Sequence, residues 1–235
     1  MSHETDPTDT HPEVKRILRL LPVVDKIGID IDDFLFNTRL AVTRKYNSDH
    51  GTQYTPGHMT EYNSVRSWLM AQGYGFEEAH RRQNSHYWDN PDVLMSAPLI
   101  RGARELTLAL LREKKNIYPT TSRDPQLNEM TRHQLRLYLG WIPEENLRIR
   151  LDGDTDKHGF KGRTAKEEEF GMFFENDPRH GDDILRNADA HVVICPYYPS
   201  YELEFPEVVS NPRVIRLPNL GMLAEVLYPI MPRLH

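Results

Sequence analysis

The 235-residue sequence predicts an α/β fold, a doubly wound parallel sheet with an inserted helical segment. From residue 99 onward, short apolar segments alternate with amphipathic helical segments, as in parallel strands joined by helical crossovers. Polar clusters follow four predicted strands, and ligands bind parallel sheets beyond the carboxyl ends of the strands. Residues 38–98 lack a β-branched run long enough for a central strand, which predicts the helical insertion.

The chain before the insertion contains one predicted strand. Residues 1–12 are acidic, lack the basic and apolar regions of a secretory signal, and are predicted to be a disordered tail. Residues 13–21 have apolar side chains at helical spacing, and Pro22 ends this helix. Residues 27–31, Ile-Gly-Ile-Asp-Ile, have the apolar pattern of a buried strand.

The insertion is rich in tyrosine, tryptophan, histidine and amide side chains. Its helical fragments are interrupted by glycine and proline, which predicts three or four short helices. The interruptions are Gly51, Pro56, Gly57, Gly73, Gly75 and Pro91.

Residues 99–235 and 13–37 are predicted to form one core domain. Asp124 and Pro125 have the pattern of a helix N-cap followed by the first helical residue. The predicted strands are 116–121, 147–151, 172–175, 191–195 and 213–217, and the predicted helices are 103–114, 124–139, 161–170, 181–188 and 220–227.

Composition excludes several classes of protein. The net charge of −6 gives no general attraction for nucleic acids or anionic membranes, so neither is an expected partner. The single cysteine, Cys195, excludes an intrachain disulfide and is expected in the core. No apolar stretch approaches the roughly 20 residues of a membrane helix. We expect a cytoplasmic protein, and the sequence leaves its oligomeric state open.

Asp30 and Asp32 follow the first strand and would share one face of it. Two such carboxylates raise each other's pKa unless a cation holds one of them ionised. The pair therefore suits a nucleophile beside a proton donor, with magnesium between them and a phosphate. The alternative is a strand followed by an acidic turn, and Asp33 is expected to be a turn or helix-cap residue.

The order of the polar clusters adds a resemblance. The acidic pair is followed by Ile-Tyr-Pro-Thr-Thr-Ser-Arg, then a lysine, then Phe-Phe-Glu-Asn-Asp-Pro. In this order, residues 27–195 resemble the haloacid-dehalogenase-like (HAD-like) phosphohydrolases, with 38–98 where that family inserts its first cap. The segment Asp-Ile-Asp-Asp-Phe-Leu-Phe-Asn-Thr, the cap pattern and Thr-Ser-Arg look like the 5′-(deoxy)nucleotidase branch.

The resemblance implies a Rossmann-like core and a chemical role for each cluster. Asp30 would attack phosphorus and form an aspartyl-phosphate, and Asp32 would protonate the leaving group and then activate water. Mg²⁺ would bind the Asp30 carboxylate and the main-chain carbonyl of Asp32. Thr121, or Thr120 if the register differs, would bind a phosphoryl oxygen. Ser122 would assist, and Arg123 would contact either phosphate or a carboxylate.

The lysine of the resemblance is either Lys161 or Lys166. Five helical residues span about 7 Å, so Lys161, at the start of its helix, lies nearer the strand ends and is favoured. In the segment Glu175-Asn176-Asp177, relatives often have two adjacent acids, which leaves open which of the three binds metal. Asp152 and Asp154 suggest a solvated loop more than a further ion site.

The resemblance therefore implies a magnesium-dependent phosphomonoester hydrolase whose substrate is a small phosphorylated metabolite, in the narrower match a nucleoside monophosphate. The alternatives are a sugar- or metabolite-phosphatase, or a weakly active relative that binds a phosphorylated ligand or partner. The cap is expected to select the substrate, with one or two aromatic side chains facing the cleft, and three histidines lack the spacing of a zinc site. The aromatic candidates are Phe36, Tyr62, Trp68, Tyr74, Tyr87 and Trp88, and the histidines are His58, His80 and His86.

Overall fold

Six parallel strands form a single sheet in the computed structural model, which describes residues 11–59, 61 and 63–227. The predicted doubly wound parallel fold is confirmed. The strands are β1 (Lys26–Asp30), β2 (Asn116–Thr121), β3 (Arg148–Ile149), β4 (Met172–Glu175), β5 (His191–Ile194) and β6 (Val214–Arg216). Their order is β3-β2-β1-β4-β5-β6, so β1 is central and pairs with both β2 and β4.

This strand order determines where the crevice of the sheet lies. From β1 the chain adds β2 and β3 on one side, then crosses to add β4, β5 and β6 on the other. Ligands bind open α/β sheets at such a switch point, beyond the carboxyl ends of the strands. Here the switch point lies between the ends of β1 and β4, at Asp30 and Glu175.

Twelve α-helices are found in the described part of the chain. Helix α1 begins at Pro12, with His11 as its N-cap, so residues 11 and 12 are not part of a tail. Residues 1–10 of the predicted tail lie outside the described residues. The helices are α1 (Pro12–Leu20), α2 (Thr38–His50), α3 (Ser64–Ala71), α4 (Phe76–Arg82), α5 (Pro91–Met95), α6 (Ala103–Arg112), α7 (Asn128–Leu139), α8 (Phe160–Glu167), α9 (Pro178–Asn187), α10 (Tyr201–Glu204), α11 (Pro206–Val209) and α12 (Leu220–Leu227).

The strands are buried on both faces because alternate residues enter two apolar clusters. On β4, Met172 and Phe174 belong to the larger cluster, whereas Phe173 belongs to the smaller one beside α8 and α9. Gly28 on β1 lies against this second face, where a Cβ atom would collide with the Phe173 ring. Cys195 is buried just after β5, as expected.

Strand β3 is shorter than the predicted 147–151. Only Arg148 and Ile149 pair with β2, on one side, because β3 is the sheet edge. The Arg150 side chain donates hydrogen bonds to main-chain carbonyls of the loops around it, and Leu151 is exposed.

Helices α2 to α5 occupy the segment between β1 and α6. The two ends of this segment are held together. Phe36 forms an antiparallel β-bridge with Leu99, and the Asn37 N–H donates to the carbonyl of Pro98 over 2.8 Å. Within this segment, side chains from α2, α3 and the stretches beside them form one aromatic cluster. The cluster comprises Tyr46, His50, Tyr54, Trp68, Tyr74 and Tyr87. No helix among the described residues is long and apolar enough to span a bilayer.

Candidate active site

A buried lysine bridges two carboxylates at the switch point. The Lys161 Nζ lies 2.7 Å from Asp30 Oδ1 and 2.7 Å from Glu175 Oε2. All three side chains are buried, with whole-residue exposures of 1% for Lys161, 4% for Asp30 and 0% for Glu175. Asp30 is the last residue of β1, Glu175 the last of β4, and Lys161 lies in the first turn of α8.

This triad contains two carboxylates and one ammonium group. Burial and the neighbouring Glu175 raise the pKa of Asp30 well above its usual value, although Lys161 opposes them. Burial alone would lower the pKa of Lys161, but Asp30 and Glu175 outweigh it and raise that pKa. Lys161 is therefore charged, and the triad carries negative charge in excess when both carboxylates are ionised.

Glu175 fixes the position of Lys161 by accepting a hydrogen bond from its ammonium group. Its second oxygen, Oε1, accepts hydrogen bonds from the main-chain N–H groups of Asn176 at 2.9 Å and Asp177 at 3.0 Å. Both oxygens are thus occupied, and Glu175 does not line the cavity above the triad, whereas Asp30 does. Lys166, the competing lysine, is exposed near the end of α8.

Asp32 forms a bidentate ion pair with Arg123. The Arg123 Nε and Nη2 atoms donate to the two carboxylate oxygens over 2.9 and 2.7 Å, and the Thr38 hydroxyl donates over 2.7 Å. Burial favours the neutral acid, but Arg123 and Thr38 outweigh it and lower the pKa of Asp32. The Arg123 Nη1 atom donates hydrogen bonds to Thr131 and Gln134, which fix the position of the guanidinium. Of the two predicted contacts for Arg123, the structure shows the one with a carboxylate.

The end of β2 presents hydroxyl groups to the same space. Thr120 is the register partner of Asp30, but its hydroxyl donates to the Tyr118 carbonyl of its own strand. The Thr121 hydroxyl lies 3.4 Å from Asp32 Oδ2, and Thr121 and Ser122 both line the cavity. The geometry therefore favours Thr121 over Thr120 as the hydroxyl that faces a ligand.

Asp33 begins the connection to α2. It has a φ of 57°, and its carboxylate accepts a hydrogen bond from the Arg39 N–H in the first turn of that helix over 2.8 Å. The Arg39 guanidinium lies 2.9 Å from the same carboxylate. Burial raises the pKa of Asp33 to about 6 despite Arg39. This is the geometry expected of a turn and helix-cap residue.

The residues after β4 differ in which of their oxygen atoms remain available to bind a metal ion. Burial would raise the pKa of Asp177, but Arg179 and His180 lower it to about 2, and its carboxylate caps α9 through the Arg179 N–H. Asn176 is buried and lines the cavity, and its main-chain carbonyl accepts the Tyr201 hydroxyl over 3.0 Å. Its side-chain amide oxygen is therefore the donor of this segment best placed for a cation.

The donors at the cavity fit a hard divalent cation. Magnesium is usually held by one or two carboxylates, with other oxygen ligands coming from waters and substrate phosphate. Asp30 supplies such a carboxylate, and the triad has negative charge to neutralise. Asp32 and Asn176, whose main-chain carbonyl and amide oxygen would be the further ligands, also line the cavity. No three histidine, cysteine, aspartate or glutamate side chains of the described residues are grouped around a common metal position.

Comparison with known proteins relates the chain to solved structures only. No family model matches the sequence, and no curated protein matches it. A predicted phosphatase from Clostridium acetobutylicum superposes with a TM-score of 0.57 at 12% identity, covering 88% of this chain and 99% of that one. The HAD-hydrolase YfnB from Bacillus subtilis, solved with bound magnesium, has a TM-score of 0.54 at 15% identity, covering 87% and 98%.

A third structure, a HAD family hydrolase from Deinococcus radiodurans with bound phosphate and sodium, has a TM-score of 0.53 at 15% identity and covers 82% and 91%. The fold is that of the HAD-like hydrolases. Identities this low leave the assignment to the 5′-(deoxy)nucleotidase branch without support from these comparisons.

The cavity at the strand ends of this HAD-like fold has a volume of about 140 Å³. Among the aromatic candidates, Trp88 lines the cavity, whereas Trp68, Tyr74 and Tyr87 belong to the aromatic cluster. Phe36 is buried against Tyr138, and Tyr62 lies outside the described residues.

The remaining polar candidates are dispersed. Asp154 pairs with Arg163 over 2.8 Å, and Asp152 is exposed in the same loop. The three histidine candidates have separate partners and do not form a site. His58 bonds to Thr55, His80 stacks on Phe76, and His86 pairs with Asp49.

Sequence reasoning missed His180, which also lines the cavity. Its Nδ1 lies 3.8 Å from Glu175 Oε2, is buried, and has no hydrogen-bond partner among the described residues. Burial and the nearby Lys161 lower the pKa of His180 to about 4, so the ring is neutral at pH 7. The sequence did contain a signal for His180. It lies three residues after Asp177, the N-cap of α9, and therefore in the first helical turn after a strand end.

Proposed function

We propose that this protein is a magnesium-dependent phosphomonoester hydrolase that acts through an aspartyl-phosphate. The observation that carries the proposal is the Asp30–Lys161–Glu175 triad at the switch point of the sheet. A purely structural ion pair would balance its charges, because a surplus buried carboxylate is costly. A surplus carboxylate that lines a cavity is instead typical of a group kept for chemistry.

Each residue of the triad then has a distinct task. Asp30 attacks phosphorus and carries the phosphoryl group. Lys161 holds the Asp30 carboxylate through Oδ1 and stabilises the charge that develops on the phosphoryl oxygens. Glu175 keeps Lys161 in place, and the Thr121 and Ser122 hydroxyls bind the transferred group from the β2 side.

Asp32 is the proposed proton-transfer residue. In the first step it donates a proton to the leaving oxygen, and in the second it accepts one from the attacking water. Its ion pair with Arg123 favours the carboxylate, which is the form that the second step needs. The first step requires Asp32 to be protonated when substrate binds, so the Arg123 contact sets how readily each step proceeds.

A bound Mg²⁺ would neutralise charge so that the phosphate dianion can approach Asp30. The Asp30 carboxylate, the Asp32 carbonyl and the Asn176 amide would hold it. We further propose that residues 38–98 act as a cap on the core formed by 13–37 and 99–235, because Trp88 from this segment lines the cavity. The substrate would be a small phosphorylated metabolite, and a nucleoside monophosphate is the narrower proposal.

A second candidate is a protein that binds a phosphorylated ligand without rapid turnover. The observation in its favour is that Arg123 and Thr38 engage both oxygens of Asp32, the proposed proton donor. Retention of the surplus carboxylate of Asp30 favours the enzyme.

Hydrolysis of p-nitrophenyl phosphate distinguishes the two candidates. We expect turnover that requires Mg²⁺, stops with EDTA, and falls by more than about a thousandfold in Asp30→Asn. The matched control is Asp152→Asn, since Asp152 is an exposed aspartate in a loop, and we expect it to retain full activity. Phosphate binding by the wild type without turnover would favour the binding protein, and activity in Asp30→Asn would remove Asp30 as nucleophile.

A further inference from the structure

A second cavity of about 280 Å³ adjoins the one above the triad. Both cavities are lined by Asp33, Arg39 and Asn176, so the second begins where the first ends. A ligand anchored by phosphate in the first cavity would therefore extend into the second.

The second cavity is built mainly by the core rather than by the helical segment. Its walls come from the loops after β1, β5 and β6, through Phe34, Pro196 and Asn219. The helical segment contributes Arg39 at the start of α2 and the turn at Pro56 and Gly57. The sequence alone predicted that the inserted segment would select the substrate, whereas this geometry gives most of the contact surface to core loops.

The charges lining this cavity are balanced. Asp33 and Arg39 pair with each other over 2.9 Å, and both are partly buried. The Cys195 thiol also lines the cavity and is neutral, because burial raises its pKa to about 12. Among the described residues of its walls, no cation is left over for a second phosphate or a carboxylate. The cavity therefore suits an uncharged group.

Two side-chain amides determine the polarity that such a group should have. The Asn37 Oδ1 accepts the Leu40 N–H over 3.0 Å at the start of α2, and the Asn219 Oδ1 accepts the Met222 N–H over 3.1 Å in α12. Because their oxygens cap helices, the NH₂ groups are the parts of these two amides left to the cavity, and both are donors. Tyr198, whose hydroxyl can donate and accept, also lines the cavity. Phe34 and Pro196 add ring surfaces.

We infer that the second cavity binds the part of the phosphate ester's alcohol that lies farthest from the phosphate, and that this part is an uncharged planar ring with carbonyl or ring-nitrogen acceptors. The inference rests on the proposed function, because it assumes that phosphate occupies the cavity above Asp30. A carbonyl or ring nitrogen would accept from the two amides, and the ring would pack on Phe34 and Pro196.

Gly57 provides a way to fill this cavity without touching the triad. A Cβ atom there would meet only the Thr55 Oγ1, at 3.6 Å, which is an ordinary contact, so Gly57→Leu should fold normally. Gly75 is the matched control, because it is exposed, its φ is −66°, and no atom lies within 4 Å of its Cβ position. It does not line either cavity.

The test compares uridine 5′-phosphate with ribose 5-phosphate, which share a primary alcohol and differ by an uncharged ring with carbonyl acceptors. In magnesium buffer we expect kcat/KM to be at least about tenfold higher for the uridine ester. Gly57→Leu should lower that value by about tenfold and change the ribose 5-phosphate value by less than about twofold. Gly75→Leu should change neither.

Binding measured by calorimetry to the Asp30→Asn variant separates this inference from the proposed function. Tighter binding of uridine 5′-phosphate than of ribose 5-phosphate, lost in Gly57→Leu/Asp30→Asn, supports the second cavity even if the wild type hydrolyses neither ester. Equal binding of the two esters, or an equal loss for both in that double variant, would overturn the inference whether or not hydrolysis occurs.

Discussion

The Asp30–Lys161–Glu175 triad and the aromatic cluster of the helical segment are both buried, but burial affects the stability of the fold differently in the two places. The triad buries three charged side chains, two of them of the same sign. The aromatic cluster buries rings in edge and stacked contacts, such as Tyr54 against Trp68 with centroids 4.4 Å apart.

Rings in such contacts favour folding through buried apolar area and ring geometry. Buried charges favour it only when each has partners, and a surplus carboxylate opposes it. The comparison indicates that the helical segment contributes stability, whereas the strand ends give up stability by burying a surplus carboxylate. Four predictions test this difference.

The largest effect is expected from Lys161→Met. Removing the ammonium leaves Asp30 and Glu175 buried without a cation, which should lower the free energy of unfolding by about 3–5 kcal/mol. Chemical denaturation at pH 7 measures it. Lys166→Met, on the exposed face of the same helix, should change the free energy by less than about 0.5 kcal/mol. Equal effects at the two lysines would show that the triad is not a coupled unit.

A change of pH tests the same region through His180. Its pKa is about 4 in the folded protein, below the usual 6.5, so the unfolded chain binds more protons between these values. Stability should therefore be fully present above pH 6.5 and fall by about 3 kcal/mol as pH decreases to 4. His180→Gln should remove this part of the slope in denaturation curves recorded with EDTA, whereas exposed His133→Gln should leave it in place.

Asp30→Asn should have the opposite effect on stability to Lys161→Met. It removes the surplus carboxylate and leaves Lys161 paired with Glu175 at 2.7 Å, so the free energy of unfolding should rise by about 1 kcal/mol. Thermal melting of the same variant used to test hydrolysis gives the value. A clear loss of stability would mean that Asp30 is a structural ion-pair partner rather than a strained catalytic group.

The smallest effects belong to the aromatic cluster. The Tyr46 hydroxyl is buried with no hydrogen-bond partner among the described residues, so Tyr46→Phe should stabilise the protein by up to about 1 kcal/mol. The Tyr87 hydroxyl lies 3.1 Å from His50 Nε2, and Tyr87→Phe should cost about 1 kcal/mol. Chemical denaturation of the two variants should therefore give changes of opposite sign.

Local patterns in the sequence were sufficient to bring most residues of the candidate site to one edge of the predicted sheet. Apolar strands that end in polar residues identified the ends of β1, β2 and β4, because parallel strands place their carboxyl ends together. Helix rise distinguished Lys161 from Lys166, since only the first turn of α8 is level with those ends. The two-residue length of β3 was missed because it depends on pairing with β2, which is distant in sequence. His180 was missed although it lies in the first helical turn after β4.

The sequence by itself determined the succession of strands and helices along the chain, the two buried faces of the sheet and the edge of the sheet where the polar groups meet. These follow from periodicity and from chain geometry, which are local. Only the tertiary structure decided that Arg123 pairs with Asp32, that Glu175 holds Lys161, and that a second cavity opens beside Asn176. Partner choice among charged groups depends on distances and burial that arise only when remote segments pack together.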